Sequence, residues 1–328
     1  MPPKRRLHPA YRKFRATVLD QGLIRRGDTV LVACSGGPDS MALLHLCLEL
    51  GGDEGFATAA AHFNHGLRPR AATDERFAEA AALKLDIPYF AGREDVRSLA
   101  RAQRLGVEEA ARLARYRFLE RAAAEAGAAR LATGHTMNDQ AETVLLRLLR
   151  GTGPAGLAGI PTRRGLVIVR PILALERREV LSYLADRGIA YRRDETNSDT
   201  DILRNRVRHL LIPYLEKRFE PAIVRSLARL ARIAGDEEVW LEAAAASRMK
   251  KLLGGPSSAP TLDAAALRRQ PPALARRMVR AYIKALKGDL RDVSFDDVEA
   301  IRALAEGKRL TLWKGLTIGR RAGRLLPG

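Results

Sequence analysis

The sequence predicts a parallel α/β sheet flanked by helices, joined to a smaller, mostly helical domain that ends in a short β meander. Three observations carry this. Short apolar strands alternate with amphipathic helices through the first two-thirds of the chain. The strands are almost uniformly hydrophobic, as strands covered on both faces are. After about Arg218 the alternation stops and helical patterns take over.

The first strand is Thr29-Val30-Leu31-Val32-Ala33-Cys34, a continuous apolar run that ends in a glycine turn. A helix follows from about Asp39 to Leu50. Further strands are expected at Ala57–Phe63, Pro88–Phe90, Ala129–Thr133 and Leu166–Val169, with helices at Thr73–Leu85, Val107–Ala126 and Asp139–Leu149. Phe219-Glu220-Pro221 interrupts the pattern, which sets the expected domains at 1–220 and 221–328. Within the second, Pro221–Leu252 reads as one long helix and Gly254-Gly255-Pro256-Ser257-Ser258 as a loop. Helices are then expected from about Pro272 to Leu286 and from Phe295 to Ala305. Arg309–Trp313, Leu316–Ile318 and Arg324–Leu326 form the meander.

Composition narrows the partners. The 328 residues carry 57 Lys+Arg against 38 Asp+Glu, a net charge of +19, which favours a polyanion such as nucleic acid or an anionic surface. Hydrophobic residues at 46% exclude a disordered chain. No apolar run approaches the roughly 20 residues needed to span a bilayer, and the N-terminus lacks the apolar core of a signal peptide. A cytoplasmic protein without a membrane partner is expected. Cys34 and Cys47 are too few for a metal cluster or a disulfide framework and read as buried thiols.

The sharpest local signal is Ser35-Gly36-Gly37-Pro38-Asp39-Ser40, between the first strand and its helix. Gly36 and Gly37 allow close backbone approach to an anion. Pro38 suits a first helical turn, whose free amides point at a phosphate alongside the Ser35 and Ser40 hydroxyls. Asp39 would repel phosphate by itself, so its carboxylate makes sense as a Mg²⁺ ligand. Two other nucleotide motifs fail: Gly307-Lys308 is followed by Arg309 rather than Ser or Thr, and Gly151–Gly156 fits G-x-G-x-x-G but follows a helix.

Asp139 and Glu142 are three apart on one helix face. Spacing alone allows either a seat for an amine or plain complementarity to the helix dipole. His135 precedes that helix, Arg112 and Arg115 share another helix face, and His62 and His65 lack a third metal ligand at suitable spacing.

Together, Ser35–Ser40, His62–Arg68, Glu108–Tyr116, Gly134–Thr143, Arg150–Leu157, Asp194, Asn197 and Arg204–Arg208 carry a resemblance. The first segment resembles the loop of the N-type ATP pyrophosphatases, whose fold is the Rossmann-like adenine nucleotide alpha hydrolase type. The ordered set resembles the tRNA(Ile)-lysidine synthase family, closely over about residues 25–220 and loosely beyond. One departure is Asn138, where many relatives carry Asp.

The resemblance implies ATP as cosubstrate with Mg²⁺, free L-lysine, and tRNA(Ile) with a CAU anticodon as substrates, and a homodimer is plausible for such a family. ATP would adenylate O2 of the wobble cytidine, and the lysine ε-amine would then displace AMP. It implies catalytic roles for Asp39, His135 and Arg115. ATP would be held by Ser35, Gly36, Gly37, Pro38, Asp39, Ser40, His62 and Asn64, with Asp39 on the metal. Asp139 and Glu142 would take lysine. Arg204, Arg206 and Arg208, and in the second domain Arg276, Arg277 and Arg280, would serve the tRNA. A tRNA thiolase needs better-placed cysteines, and an RNA-binding protein with a degenerate nucleotide fold would have no use for an intact Ser35, Asp39, Asp139 and Glu142.

Overall fold

The computed structural model describes residues 7–67, 71–165, 167–192, 200–256, 259–312 and 315–328. Asp194, Asn197 and Arg68 lie outside them. The described residues divide into two compact units, 1–232 and 233–328.

In the first unit α1 (Pro9–Asp20) leads into β1 (Thr29–Ala33), α2 (Pro38–Glu54), β2 (Ala57–Asn64), α3 (Ala71–Lys84) and β3 (Tyr89–Arg93). Then come α4 (Val96–Gln103), α5 (Val107–Glu125), β4 (Arg130–Ala132), α6 (Met137–Leu149), α7 (Pro154–Leu157), β5 (Arg163–Arg164), β6 (Ile168–Val169) and α8 (Arg177–Asp186). The six strands form one sheet ordered β3-β2-β1-β4-β6-β5, parallel except for β5, which returns antiparallel on β6. The chain winds from β1 outward to β3, then crosses back to place β4 on β1's other side. The crevice beyond the carboxyl ends of β1 and β4 is therefore the switch point where α/β sheets bind ligands.

Apolar residues on both sheet faces explain the layers. Val30 and Val32 join the α1–α2–α8 side with Phe14, Leu44 and Tyr183. Leu31 joins the α5 side with Phe118, Leu119 and Leu131. Alternate residues of one strand thus feed two cores, which is why β1 is apolar throughout.

After α8, α9 (Leu203–Arg206) continues through a π-helical turn, Val207–Leu211, into α10 (Ile212–Arg218). Helix α11 (Ile223–Leu252) is one helix, as its pattern predicts, yet the units divide within it rather than at residue 220. The reason is packing: Val224, Leu227 and Ala231 share an apolar cluster with Val144, Val207 and Ile212 of the first unit.

The second unit adds β7 (Leu253–Gly254), β8 (Thr261–Asp263), α12 (Ala264–Arg268), α13 (Pro272–Lys287), α14 (Phe295–Ala303), β9 (Arg309–Thr311), β10 (Thr317–Arg321) and β11 (Arg324–Pro327). Its sheet runs β7-β8-β11-β10-β9, with every pairing antiparallel. The meander is thus larger than expected: Leu253 and Gly254, the latter read as the start of a loop, pair with Leu262 and Thr261 and supply an edge strand. Met278, Tyr282, Leu262 and Ile318 fill this unit's own core.

Candidate active site

The loop Ser35–Ser40 leaves β1 at the switch point. Gly36 takes φ +81°, a left-handed value that favours glycine. Gly37 caps α2 and Pro38 occupies its first turn. Ser40 Oγ donates to the Gly37 carbonyl (2.9 Å), and the Ser35 amide donates back to Ser40 Oγ (3.2 Å), closing the loop on itself. From outside, the Arg192 amide donates to the Gly36 carbonyl (2.8 Å). Gly134, just beyond β4, packs directly on the loop: a Cβ there would stand 3.2 Å from the Asp39 carbonyl carbon and the Ser40 nitrogen.

Asp39 begins α2 with its Oδ2 on Arg177 Nη1 (2.6 Å). Its Oδ1 is buried without a hydrogen-bond partner. Burial pushes this carboxyl up to about 6 against the Arg177 charge, with Asp139 and Glu142 adding to the rise. A buried carboxylate oxygen lacking a donor beside a phosphate-type loop is a hard ligand that fits Mg²⁺, which binds through one or two carboxylates, substrate phosphates and waters. Among the described residues no group of three or more His, Cys, Asp and Glu gathers as an all-protein metal site.

The acid pair on α6 is the most heavily bonded part of the site. Asp139 Oδ2 accepts from the Thr136 amide (2.8 Å) and hydroxyl (2.9 Å), a capping box that opens α6. Its Oδ1 faces Arg204 Nη2 (3.3 Å) and Arg208 Nη2 (3.2 Å). Glu142 is 1% exposed and bonds Arg204 Nε (2.9 Å) and Arg208 Nε (2.6 Å). Burial acts to raise Asp139, but the Thr136 amide and then Arg204 hold it below its ordinary value. His135 stands between β4 and α6 with Nδ1 3.0 Å from Thr133 Oγ1. Burial lowers it to about 4 despite the Asp139 charge, so its imidazole is neutral at physiological pH.

Residues 7–215 match the model of the PP-loop domain, and residues 262–326 match that of the TilS substrate binding domain. A tRNA(Ile)-lysidine synthase from Chlorobaculum tepidum is 41% identical over 232 residues, 70% of this chain and 70% of that protein. The chain belongs to the tRNA(Ile)-lysidine synthase family. Relatives of the same name from Geobacter sulfurreducens and Thermus thermophilus are 41% and 42% identical, covering 89% and 91% of this chain. The chain spans 62% and 56% of their lengths. Among solved structures, the U34-tRNA thiolase NcsA from Methanococcus maripaludis with its [4Fe-4S] cluster superposes with a TM-score of 0.58 at 19% identity. The match covers 69% of this chain and 78% of that one, and shows the fold alone.

Ser35–Ser40, Asp39, His135, Asp139 and Glu142 converge at one crevice. Other expected residues go elsewhere. Arg204 and Arg208, expected on tRNA, hold the acid pair, while Arg206 beside them is exposed. Asn64, expected on ATP, donates to Glu75 Oε2 (2.8 Å) and accepts from the Gly66 amide (3.0 Å), shaping the turn after β2. His62 is buried and donates to the Cys34 carbonyl (2.9 Å), tying β2 to the end of β1. Arg276 pairs with Glu299 and Arg277 with Glu238 within the second unit, whereas Arg280 is half-buried. Cys34 and Cys47 are buried, and burial raises both thiols, so neither suits thiol chemistry. The Gly151–Gly156 stretch is a turn into α7, held by Arg147 donating to the Gly156 (2.9 Å) and Gly159 (2.8 Å) carbonyls. Asn138 accepts from the Arg177 amide (2.8 Å), a contact at the start of α8 that an Asp could make equally. Sequence reasoning missed Arg177 and Gly134. Arg177 sits in the charged run Glu176–Glu179, where nothing local distinguishes it, but Gly134 before His135 was a legible signal of close approach.

Proposed function

We propose that this chain ligates free L-lysine to C2 of the wobble cytidine of tRNA(Ile) with a CAU anticodon, a C–N bond-forming reaction driven by ATP. The observation that carries the reading is the buried acid pair Asp139/Glu142 set beside the phosphate-type loop and Asp39, in a chain that also matches the TilS substrate binding domain. The first step joins cytidine O2 to the α-phosphorus of ATP, breaks the α–β bridge and releases pyrophosphate. In the second, the lysine ε-nitrogen attacks C2, the C2–O bond breaks, AMP leaves and the amine loses its proton.

The loop amides and the Ser35 and Ser40 hydroxyls hold the phosphates. Asp39 would hold Mg²⁺, which supplies charge neutralisation at the leaving pyrophosphate. Neutral His135 can orient the cytidine by hydrogen bonding, with Arg115 beside it. Asp139 and Glu142 attract the lysine ammonium, which must first exchange with Arg204 or Arg208. Arg206 and Arg280 remain for RNA phosphates, and residues 221–328 serve the tRNA.

The test is to incubate the chain with ATP, Mg²⁺, labelled lysine and the CAU tRNA, and to analyse nucleosides by mass. Lysidine is expected. A thiolated cytidine or unchanged RNA overturns the reading.

A further inference from the structure

Tyr116 on α5 is surrounded by guanidinium groups. Arg112, Arg115 and Arg164 stand 5.9, 5.6 and 5.6 Å from its ring centre. Arg170 interacts with its hydroxyl and donates through Nη1 to the Pro161 carbonyl (2.7 Å). Arg170 is 4% exposed, and its Nε is buried without a partner. The ring faces offer each cation modest attraction, but four like charges around one side chain repel, and one of them is desolvated. Burial, with the Arg164 and Arg112 charges, lowers Arg170 from its ordinary value.

The cluster lies on the ligand side of the sheet. Arg170 directly follows β6, and the register Ala132↔Val169 sets it beside Thr133, the partner of His135. Arg112 and Arg115 belong to the first turns of α5, which packs on β1, β2 and β4 through Phe118 and Leu119. The Ser35–Ser40 loop follows β1, two strand positions from β6, roughly 10 Å at ordinary strand spacing. Through Arg170 beside Thr133 the cluster adjoins His135, where the base would sit.

We propose that Arg112, Arg115 and Arg164, arrayed on Tyr116 and backed by buried Arg170, form a seat for a backbone phosphodiester of the RNA next to the target nucleotide. The site rests on the RNA-modification reading above. Arg170 supplies fixed charge and holds Tyr116, and the three exposed arginines reach the phosphate as fork donors. The contact positions the strand without reading its sequence.

The test measures binding of a synthetic CAU anticodon stem-loop to the full chain across a salt series, with ATP affinity measured in parallel. Arg112→Ala/Arg164→Ala should weaken RNA binding about tenfold or more. It should also make the slope of log K against log salt shallower by about 1.4, the value for two contacts to single-stranded RNA. ATP affinity should stay at the wild-type value, and Arg112→Lys/Arg164→Lys should restore the slope. An unchanged slope in the alanine pair, while the wild type binds RNA, overturns the phosphate seat alone. Loss of ATP affinity instead assigns the cluster to the nucleotide and overturns it too. A lysine pair that fails to restore the slope reduces the cluster to ring stacking. No RNA binding by the wild type removes the broader functional reading along with the seat.

Discussion

Arg177 Nη1 lies 2.6 Å from Oδ2 of Asp39, while Oδ1 of the same carboxylate is buried without a partner. The guanidinium supplies half of what a buried carboxylate requires and leaves the other oxygen for a cation. Asp39→Ala should therefore cut pyrophosphate and AMP formation roughly 100-fold or more, the scale of several kcal/mol of lost charge stabilisation. Affinity for tRNA, measured by filter binding, should not change. Full turnover in this variant would remove Asp39 from the reaction.

Gly134 tests the loop from the other side. In Gly134→Ala the new methyl would press on the Asp39–Ser40 backbone at 3.2 Å. Overpacking of this kind costs about 1–3 kcal/mol. We expect a lower Tm together with weaker ATP binding by calorimetry. Wild-type ATP affinity in a folded Gly134→Ala protein would show that the loop and the end of β4 do not depend on each other.

The acid pair predicts a coupled result. Glu142→Gln removes the buried charge that Arg204 and Arg208 share, and should destabilise the chain by about 3 kcal/mol, at the low end for a broken buried pair because Arg204 retains solvent access. Adding Arg204→Ala should recover part of that loss, since one unmatched cation is gone, a coupling that denaturant titration of the double-mutant cycle reads directly. In single turnover Glu142→Gln should still release pyrophosphate but need roughly 10- to 150-fold more lysine, the scale of a lost charge-assisted contact. Loss of pyrophosphate release with an unaltered lysine requirement would place the pair with ATP instead.

His135 gives a pH signature. Its folded value of about 4 lies below the ordinary 6.5, so the unfolded chain binds more protons between the two. The stability this group contributes is complete above about 6.5 and is lost as the pH falls through about 4. Replacing His135 by Gln should flatten the decline of Tm between those values while leaving other acid-sensitive groups to act. An unchanged profile would mean that the imidazole is not held neutral by its surroundings.

The identity of the strands, the loop and the acid pair was legible because each is local. β1 reads from a continuous apolar run, the loop from glycines and a proline at a strand–helix junction, and Asp139/Glu142 from a spacing of three on one helix. The same locality let the ordered motifs point to a family. What the sequence could not disclose are pairings across distance. Arg204 and Arg208 read as a basic run for RNA, yet they fold back across more than 60 positions onto Asp139 and Glu142 because a buried carboxylate must find a cation. Asn64, which the resemblance assigns to ATP, becomes the brace of a turn only through the position of Glu75 on α3. Arg177, 138 positions from Asp39, has no local mark of its partner. Local pattern determined the strands β1–β4, the helices between them and the glycine loop after β1. The tertiary structure alone decided which charges in the crevice neutralise one another, because charge pairing depends on distance in space rather than separation along the chain.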